Sequence, residues 1–276
     1  MTAKDERWIR RILVALDASR ASLDALSAAA ALAARTGADI EGLFVEDMNL
    51  LRAAGLPCAS QLALPSGARR PLVRGDTEIE FRALAATARD ALAAAANALH
   101  IGWSFRVARG QVSVELLHAA GEADVLVLGR TGYRARAQPG TTARDAAARA
   151  TTPVLIVGRA GALGPPVVVI SDGTPTDERS VEVAARLAGD DPSALTVLVF
   201  AKTREQAEQF AKQARQLKGV RSATARFVLA ARRHDLALEA SAPGALLVMC
   251  SECSALGRGG LERLLEELDT PVLIVR

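Results

Sequence analysis

Short aliphatic runs alternate with helical patterns along most of the chain. Residues 12–16, 125–128 and 154–157 are apolar at almost every position. Runs that lack a polar residue at every second position are typical of strands covered on both faces, as in a parallel sheet flanked by helices. The pattern therefore predicts an α/β protein with a parallel sheet between two layers of helices.

Residues 46–76 interrupt this alternation, because they mix Pro, Gly and Arg without a steady period. We predict a long loop there, acting either as a lid or as a docking surface, with a solvated loop as the equal alternative. Around it the first 158 residues predict strand 12–16, helix 19–35 ending at Gly37, strand 38–45, helix 77–99, strand 104–108, helix 112–120, strand 125–128, a helix from Thr141 or Thr142, and strand 154–157. The apolar side predicted for helix 77–99 contains Ile79, Leu84, Ala88, Leu92, Ala95 and Leu99.

The same order of elements restarts after a Gly- and Pro-rich stretch. The predicted elements are strand 166–172, helix 175–188, strand 195–201, helix 203–217, strand 225–229, helix 232–241, strand 245–249, helix 260–268 and strand 272–275. The hexapeptide TPVLIV occurs at 152–157 and again at 270–275. We predict a duplicated domain, with units 1–158 and 167–276 joined by linker 159–166.

Composition narrows the class of protein. Half of the 276 residues are hydrophobic and 24% are charged, which is typical of a globular chain. A net charge of +3 with 3% aromatic residues argues against nucleic-acid binding. No apolar run approaches the roughly 18 residues of a membrane span, and three cysteines form no disulfide framework. We expect a soluble cytoplasmic protein that binds neither membrane nor nucleic acid.

One basic, glycine-punctuated loop follows the strand at 125–128 and is the best site candidate. Glycines let backbone N–H groups approach an anion, and a helix start adds unpaired donors. In an open α/β sheet, ligands bind beyond the carboxyl ends of the strands. The candidate residues for a phosphate are Gly129, Arg130, Gly132, Arg134, Arg136, Gly140, Thr141 and Thr142.

The spacing Gly-x2-Gly-x7-Gly-Thr in this loop resembles the G-x2-G-x9-G-[ST] signature of the universal stress protein family, with the second gap two residues shorter and containing Pro139. The resemblance implies two tandem Rossmann-like domains, each with a doubly wound, five-stranded parallel sheet of order 3-2-1-4-5. In that family domains often pair through their last strands. The two TPVLIV strands are therefore expected to pair, giving a pseudo-dimer in one chain, which could also form a homodimer.

The resemblance also implies the ligand, ATP or a related adenine nucleotide. Asp17 matches the acidic residue that faces adenine, and Val45 or its neighbour Phe44 matches the second-strand position whose backbone reaches the base. The expected binding residues are Asp17, Val45, Gly129, Arg130, Gly132, Gly140, Thr141 and Thr142. The alternative is that Asp17 caps the following helix and that the glycines only satisfy tight turns.

In the second unit, Cys250 and Cys253 stand where Gly129 and Gly132 stand in the first. Side chains replace the glycines, so we predict that this unit does not bind nucleotide in the family's way. The Cys-x2-Cys pair has three possible interpretations: a redox pair, half of a metal site, or incidental buried thiols.

These observations favour a stress-response module that binds an adenine nucleotide in its first unit and has a structural or regulatory second unit. The alternative is a scaffold that acts through protein partners and binds no nucleotide. A third option is an enzyme with slow ATP hydrolysis or thiol chemistry. No hydrolase or Walker motif is present in the sequence, which favours a binding protein over an enzyme.

Overall fold

The computed structural model describes most of the chain. The described residues are 8–62, 67–130, 141–158, 163, 166–189, 194–199, 201, 203–217, 226–229, 244–253 and 260–276. We call residues 8–158 the first half and residues 166–276 the second half.

The first half alternates strands and helices. It contains β1 (Arg11–Ala15), α1 (Arg20–Thr36), β2 (Asp39–Asp47), α2 (Met48–Ala54), β3 (Ser60–Leu62), β4 (Arg69–Pro71), α3 (Arg74–Ala98), β5 (Trp103–Gly110), α4 (Val112–Ala120), β6 (Val125–Gly129), α5 (Thr141–Arg149) and β7 (Val154–Val157). The aliphatic runs at β1, β6 and β7 form the buried strands that the pattern predicts. Helix α1 ends at Gly37, which has the positive φ of 68° that the predicted stop requires.

The second half continues the alternation. Its described elements are β8 (Val167–Ser171), α6 (Pro175–Ala188), β9 (Leu195–Val199), α7 (Arg204–Ala214), β10 (Arg226–Leu229), β11 (Leu246–Cys250), α8 (Gly260–Glu267) and β12 (Val272–Val275). Thr203 caps α7, where its hydroxyl accepts a hydrogen bond from the Gln206 N–H at 3.3 Å. The helix predicted at 232–241 lies outside the described residues.

Ten strands form one sheet in the order β10-β9-β8-β11-β12-β7-β6-β1-β2-β5. Every neighbouring pair is parallel except β7 and β12, which pair antiparallel at the centre of the sheet. Leu155 of the first TPVLIV copy faces Leu273 of the second. The pairing expected between the two hexapeptides is therefore present.

Helices cover both faces of the sheet. Helices α1, α3 and α6 pack into one hydrophobic cluster, whereas α4, α5 and α8 pack into the cluster on the opposite face. Buried strands between two helical layers explain why the strand sequences are apolar on both sides. Within the part of the chain that is described, no helix has both the length and the apolar character to cross a membrane.

Two predictions about residues 46–76 and the helix after them are wrong. The expected loop contains helix α2 and a small antiparallel hairpin of β3 and β4. Ile79 and Leu99, predicted on the buried side of α3, are 61% and 48% exposed. The predicted Ala88 and Leu92 are buried, and Leu84 and Ala95 are partly buried. The buried residues of α3 are Thr77, Phe81, Ala85, Ala88, Leu92 and Ala96. Helix α3 also begins earlier than predicted, at Arg74.

Candidate functional site

The turn after β1 carries Asp17 and leads directly into α1. The Asp17 carboxylate accepts a hydrogen bond from the Ser19 N–H at 3.0 Å, and Ser19 caps α1 by accepting from the Ser22 N–H at 3.2 Å. The Ser22 hydroxyl donates back to the Ser19 carbonyl at 2.9 Å. Asp17 therefore orders the start of α1, as the alternative interpretation expects, and its side chain remains half-buried at the edge of the sheet.

Ala18, next to Asp17, has a φ of 58°. This left-handed conformation costs a residue with a Cβ about 1–2 kcal/mol. Strained backbone of this kind concentrates at binding sites, where the surrounding structure holds it in place. Alanine is not a residue that marks a left-handed turn, so the residue type at position 18 does not predict this conformation.

Val45 and Phe44 lie near the carboxyl end of β2. Phe44 is buried and makes an edge-to-face contact with Phe81 of α3, with ring centroids 6.2 Å apart. Val45 is half-buried and packs against the opposite cluster, as expected for successive residues of a strand. The side chains of these two residues pack against other side chains, so a ligand could contact only the backbone of β2 here.

Gly129 ends β6 against the first turn of α1. A Cβ placed on Gly129 would lie 2.5 Å from the carbonyl oxygen of Ala21. Real Cβ atoms do not approach a backbone oxygen so closely, so a side chain here would push α1 away from the sheet. The close packing of helix on strand by itself requires glycine at this position.

Arg130 follows Gly129 but binds the second half. Its guanidinium donates to the carbonyl of Leu268 and to the carbonyl of Glu266 at 2.9 Å, and pairs with Asp269 at 2.9 Å. The side chain is 8% exposed, so these contacts are largely protected from water. Carbonyls at the end of a helix carry partial negative charge, which a guanidinium stabilises. We therefore assign Arg130 to the junction between the halves and not to an anion site.

The remaining predicted residues concern the start of α5. Thr141 and Thr142 are its first two residues, exposed and half-buried respectively. A helix start offers unpaired N–H groups, so this position suits an anion. Gly132 and Gly140, and the loop arginines Arg134 and Arg136, lie outside the described residues.

The corresponding turn of the second half keeps the same geometry with different side chains. Asp172 accepts a hydrogen bond from the Thr174 N–H at 3.3 Å, as Asp17 does from Ser19. In the place of Ser22, 155 residues further along, stands Asp177 (177 − 22). Its carboxylate accepts from the Asp172 N–H, whereas the Ser22 hydroxyl accepts from the Asp17 N–H at 3.4 Å. An ionisable group thus replaces a hydroxyl.

Asp177 is 1% exposed, and its Oδ1 atom has no hydrogen-bond partner among the described residues. Burial, and after it the hydrogen bond with the Asp172 carboxyl, raise the pKa of Asp177 to about 9. The carboxyl is therefore protonated near neutral pH. The Cys250 thiol makes a smaller contribution to this shift.

Cys250 ends β11 and is completely buried, while Cys253 is 7% exposed. Interaction with the neighbouring Cys253 thiol, which favours the protonated form of Cys250, and after it burial raise the pKa of Cys250. All cysteines are free thiols. We call Asp172, Asp177, Cys250 and Cys253 the thiol–carboxyl cluster. In the described part of the chain no group of three or more His, Cys, Asp or Glu is arranged to hold a metal ion.

Asp177 is the residue that the sequence-based reasoning missed. A signal was available, because aligning the two halves on Asp17 and Asp172 places Asp177 opposite Ser22. An acidic residue in the first turn of a helix is common, since it interacts favourably with the helix dipole. Only the burial of its side chain distinguishes Asp177 from such a residue.

Comparison with protein families gives one match. The family model described as "Universal stress protein family" matches residues 9–158. A comparison with curated proteins finds no match.

Solved structures share the fold along the whole chain. A universal stress protein from Archaeoglobus fulgidus is 13% identical, with a TM-score of 0.72 over 98% of this chain and 99% of its own. A putative universal stress protein from Pseudomonas aeruginosa is 15% identical, with a TM-score of 0.63 over 97% and 93%. A universal stress protein in complex with cAMP is 24% identical and covers 54% of this chain and 96% of its own, with a TM-score of 0.37.

Proposed function

We propose a function from an established premise: the chain belongs to the universal stress protein family. The first half binds ATP or a related adenine nucleotide, and the second half supports or regulates it. The chain acts by binding its ligand, as a module of a stress response.

The observation that carries this proposal is the arrangement of one edge of the sheet. The order β2-β1-β6 reverses direction along the chain between β1 and β6, which is where open α/β sheets bind ligands. The strained turn at Ala18 follows β1, and the glycine loop runs from β6 to the start of α5 at Thr141. Asp17 supplies the acceptor for a base, and the loop and helix start supply N–H donors for phosphates.

We further propose that the two halves are tandem universal stress protein units. Within the first half the order of the main-sheet strands is β5-β2-β1-β6-β7, and within the second it is β10-β9-β8-β11-β12. Both correspond to the order 3-2-1-4-5. Leu155 and Leu273 are equivalent residues of the two hexapeptides and face each other, which supports a pseudo-twofold axis between them and a pseudo-dimer in one chain.

In this proposal the second half has lost the nucleotide. Cys250 occupies the position of Gly129, and Asp177 adds a buried carboxyl beside it. A protonated acid and two thiols offer fewer donors to a phosphate than a glycine loop does, and any ionisation of Asp177 would repel it. The second half therefore contributes its strands to the shared sheet, and it supplies the carbonyl groups that Arg130 of the first half contacts at the junction.

Isothermal titration calorimetry with ATP tests the proposal. Asp17→Asn retains the acceptor for the Ser19 N–H but removes the charge, and we expect it to weaken binding about tenfold, the loss of one charged hydrogen bond. Asp172→Asn is the matched control in the second half and should leave binding unchanged. A Gly132→Val variant tests the loop. Absence of heat with the wild-type chain, or equal effects of the two Asp→Asn changes, would contradict the proposal.

One observation favours the scaffold as a second candidate. Both strands of the β3–β4 hairpin are exposed at every residue; Leu62 of β3 is 56% exposed, and Leu56, four residues before β3, is 58% exposed. An isolated two-stranded hairpin is marginally stable, so a partner that covers it would stabilise it. If the chain is a scaffold, sedimentation should detect an association that the double variant Leu56→Ser, Leu62→Ser abolishes. Titration with ATP should then produce no heat. An unchanged sedimentation profile would exclude self-association through this surface.

A further inference from the structure

The thiol–carboxyl cluster lies outside the proposed nucleotide site and is brought together by three elements. Strands β8 and β11 are parallel neighbours, and they end on the same side of the sheet at Ser171 and Cys250. Helix α6 packs on both strands, and its first turn places Asp177 against the backbone N–H of Asp172. Cys253 follows Cys250 by three residues across a turn, and both side chains are buried in the same hydrophobic cluster.

We propose that Cys250 and Cys253 form a reversible intramolecular disulfide when a hydroperoxide oxidises Cys253, with Asp177 as the acid–base group for Cys250. Three features of the cluster lead to this assignment. The two thiols are adjacent, so a disulfide requires only a local rotation. Cys253 is the more exposed of the two, at 7% against 0%, and meets the oxidant first. Asp177 is the buried carboxyl with an unoccupied oxygen next to Cys250.

The chemistry takes place in two steps. The Cys253 sulfur attacks one peroxide oxygen, the O–O bond breaks, and the sulfur is oxidised to a sulfenic acid while the other oxygen leaves as water or an alcohol after taking up the thiol proton. The Cys250 sulfur then attacks the sulfenic sulfur. An S–S bond forms, the S–O bond breaks, and the hydroxide that leaves combines with the Cys250 proton to give water. A dithiol reductant reverses the reaction.

The second step needs a base, because the surroundings of Cys250 oppose formation of its thiolate. Interaction with Cys253 and burial both raise the pKa of Cys250. Asp177 in its carboxylate form accepts the proton through Oδ1 and returns it to the departing hydroxide. Burial is the largest cause of the raised pKa of Asp177, and the titratable groups that add to it are Asp172, which follows β8, and Cys250 of β11, so the carboxyl is protonated at neutral pH. Disulfide closure should therefore accelerate as the pH rises towards about 9.

The test uses the full chain with Cys58→Ser, since Cys58 is exposed and lies outside the cluster. The folded protein is treated with hydrogen peroxide, free thiols are counted, and intact mass is measured with and without dithiothreitol. Both thiols should disappear with the loss of two hydrogen atoms, and the reductant should restore them. Cys253→Ser should form no intramolecular disulfide. Two free thiols persisting under conditions that fully oxidise Cys58 in the parent chain would overturn the proposal.

A competition experiment isolates the role of Asp177. Dimedone traps the sulfenic acid, so the share of oxidised protein that escapes trapping measures closure alone. Asp177→Asn should slow closure about a hundredfold, as loss of an acid–base group does, and remove its pH dependence. Ser180→Ala, one turn along α6 at a buried hydroxyl without a partner, should behave as the wild type. If Asp177→Asn does not fold, the pH dependence of the closure rate in the wild-type chain is the test. A closure rate that does not change between about pH 6 and about pH 9 would overturn the role of Asp177.

Discussion

The carboxyl ends of β1 and β8 lead into the same turn, but the groups buried beneath these two turns differ. In the first half Ser22 accepts from the Asp17 N–H and Gly129 lets α1 approach the sheet. In the second half Asp177 accepts from the Asp172 N–H, and Cys250 takes the position of the glycine. One turn geometry therefore tolerates a hydroxyl or a carboxyl beneath it. The residue beneath the turn therefore determines whether the carboxyl-end edge of the strands suits a phosphate or contains a protonated acid next to two thiols.

Gly129→Ala should have the largest effect on this comparison. The added Cβ would lie 2.5 Å from the Ala21 carbonyl oxygen, so α1 must shift, and we expect a loss of about 3 kcal/mol in the free energy of unfolding. The counterpart Cys250→Ala only removes a sulfur from a site that already accommodates a side chain, and should cost about 1 kcal/mol. Urea denaturation measures both. Equal losses would mean that the two edges are packed alike.

The pH dependence of stability should distinguish Asp177 from Ser22. The pKa of Asp177 is raised from 3.8 to about 9, so the folded state retains a proton that the unfolded state has lost between these values. Stability should therefore fall as the pH rises from about 4 to about 9, by at most about 3 kcal/mol between about pH 6 and about pH 8. Denaturation of Asp177→Asn should show a flatter profile, whereas Ser22→Ala should retain the wild-type slope. A wild-type slope in Asp177→Asn would contradict the assignment.

The residue that follows Gly129 also differs between the two halves, and in the first half it is Arg130. In the second half Ser251 takes its place, and both residues donate their N–H to the last strand of their own half, at 2.9 Å and 3.0 Å. At this position only the first half extends a side chain into the other half, whereas elsewhere Arg276 of the second half donates to the carbonyls of Ala146 and Ala147 in the first. Arg130→Met should cost about 2 kcal/mol by leaving buried carbonyls without a donor. Arg144→Met removes a partly exposed pair with Glu266 and should cost about 0.5 kcal/mol. Thermal unfolding that ranks them in the reverse order would contradict this account of the junction.

Ala18 gives the smallest expected effect. Its counterpart in the second half is Gly173 (173 − 18 = 155), and both have positive φ, 58° and 76°. Ala18→Gly should therefore raise the unfolding free energy by about 1 kcal/mol through relief of strain, even though glycine adds chain entropy to the unfolded state. As a comparison, Ala53→Gly at a half-buried position of helix α2 should be destabilising. Loss of stability in Ala18→Gly would show that the turn is not strained.

The sequence by itself determined the succession of elements and the fold class. Helix α6 and strands β7 and β12 have the predicted ends, because apolar runs and capping residues act over a few neighbours. The central pairing was expected from the resemblance to the universal stress protein family, applied to the two copies of TPVLIV. The interruption at 46–76 was visible, but its helix and hairpin were not, because short exposed elements leave little periodicity.

The tertiary structure decided what individual side chains do. Arg130 stands beside the glycines in sequence, yet it binds carbonyls 136 and 138 residues away, because the central strand pairing brings α8 to it. Asp177 and Cys250 are 73 residues apart (250 − 177) and meet only because β8 and β11 are neighbours in the sheet. Sequence patterns report local periodicity, whereas burial and pKa depend on what the fold places within a few ångströms. For that reason the fold class followed from the sequence, and the environment of each polar group did not.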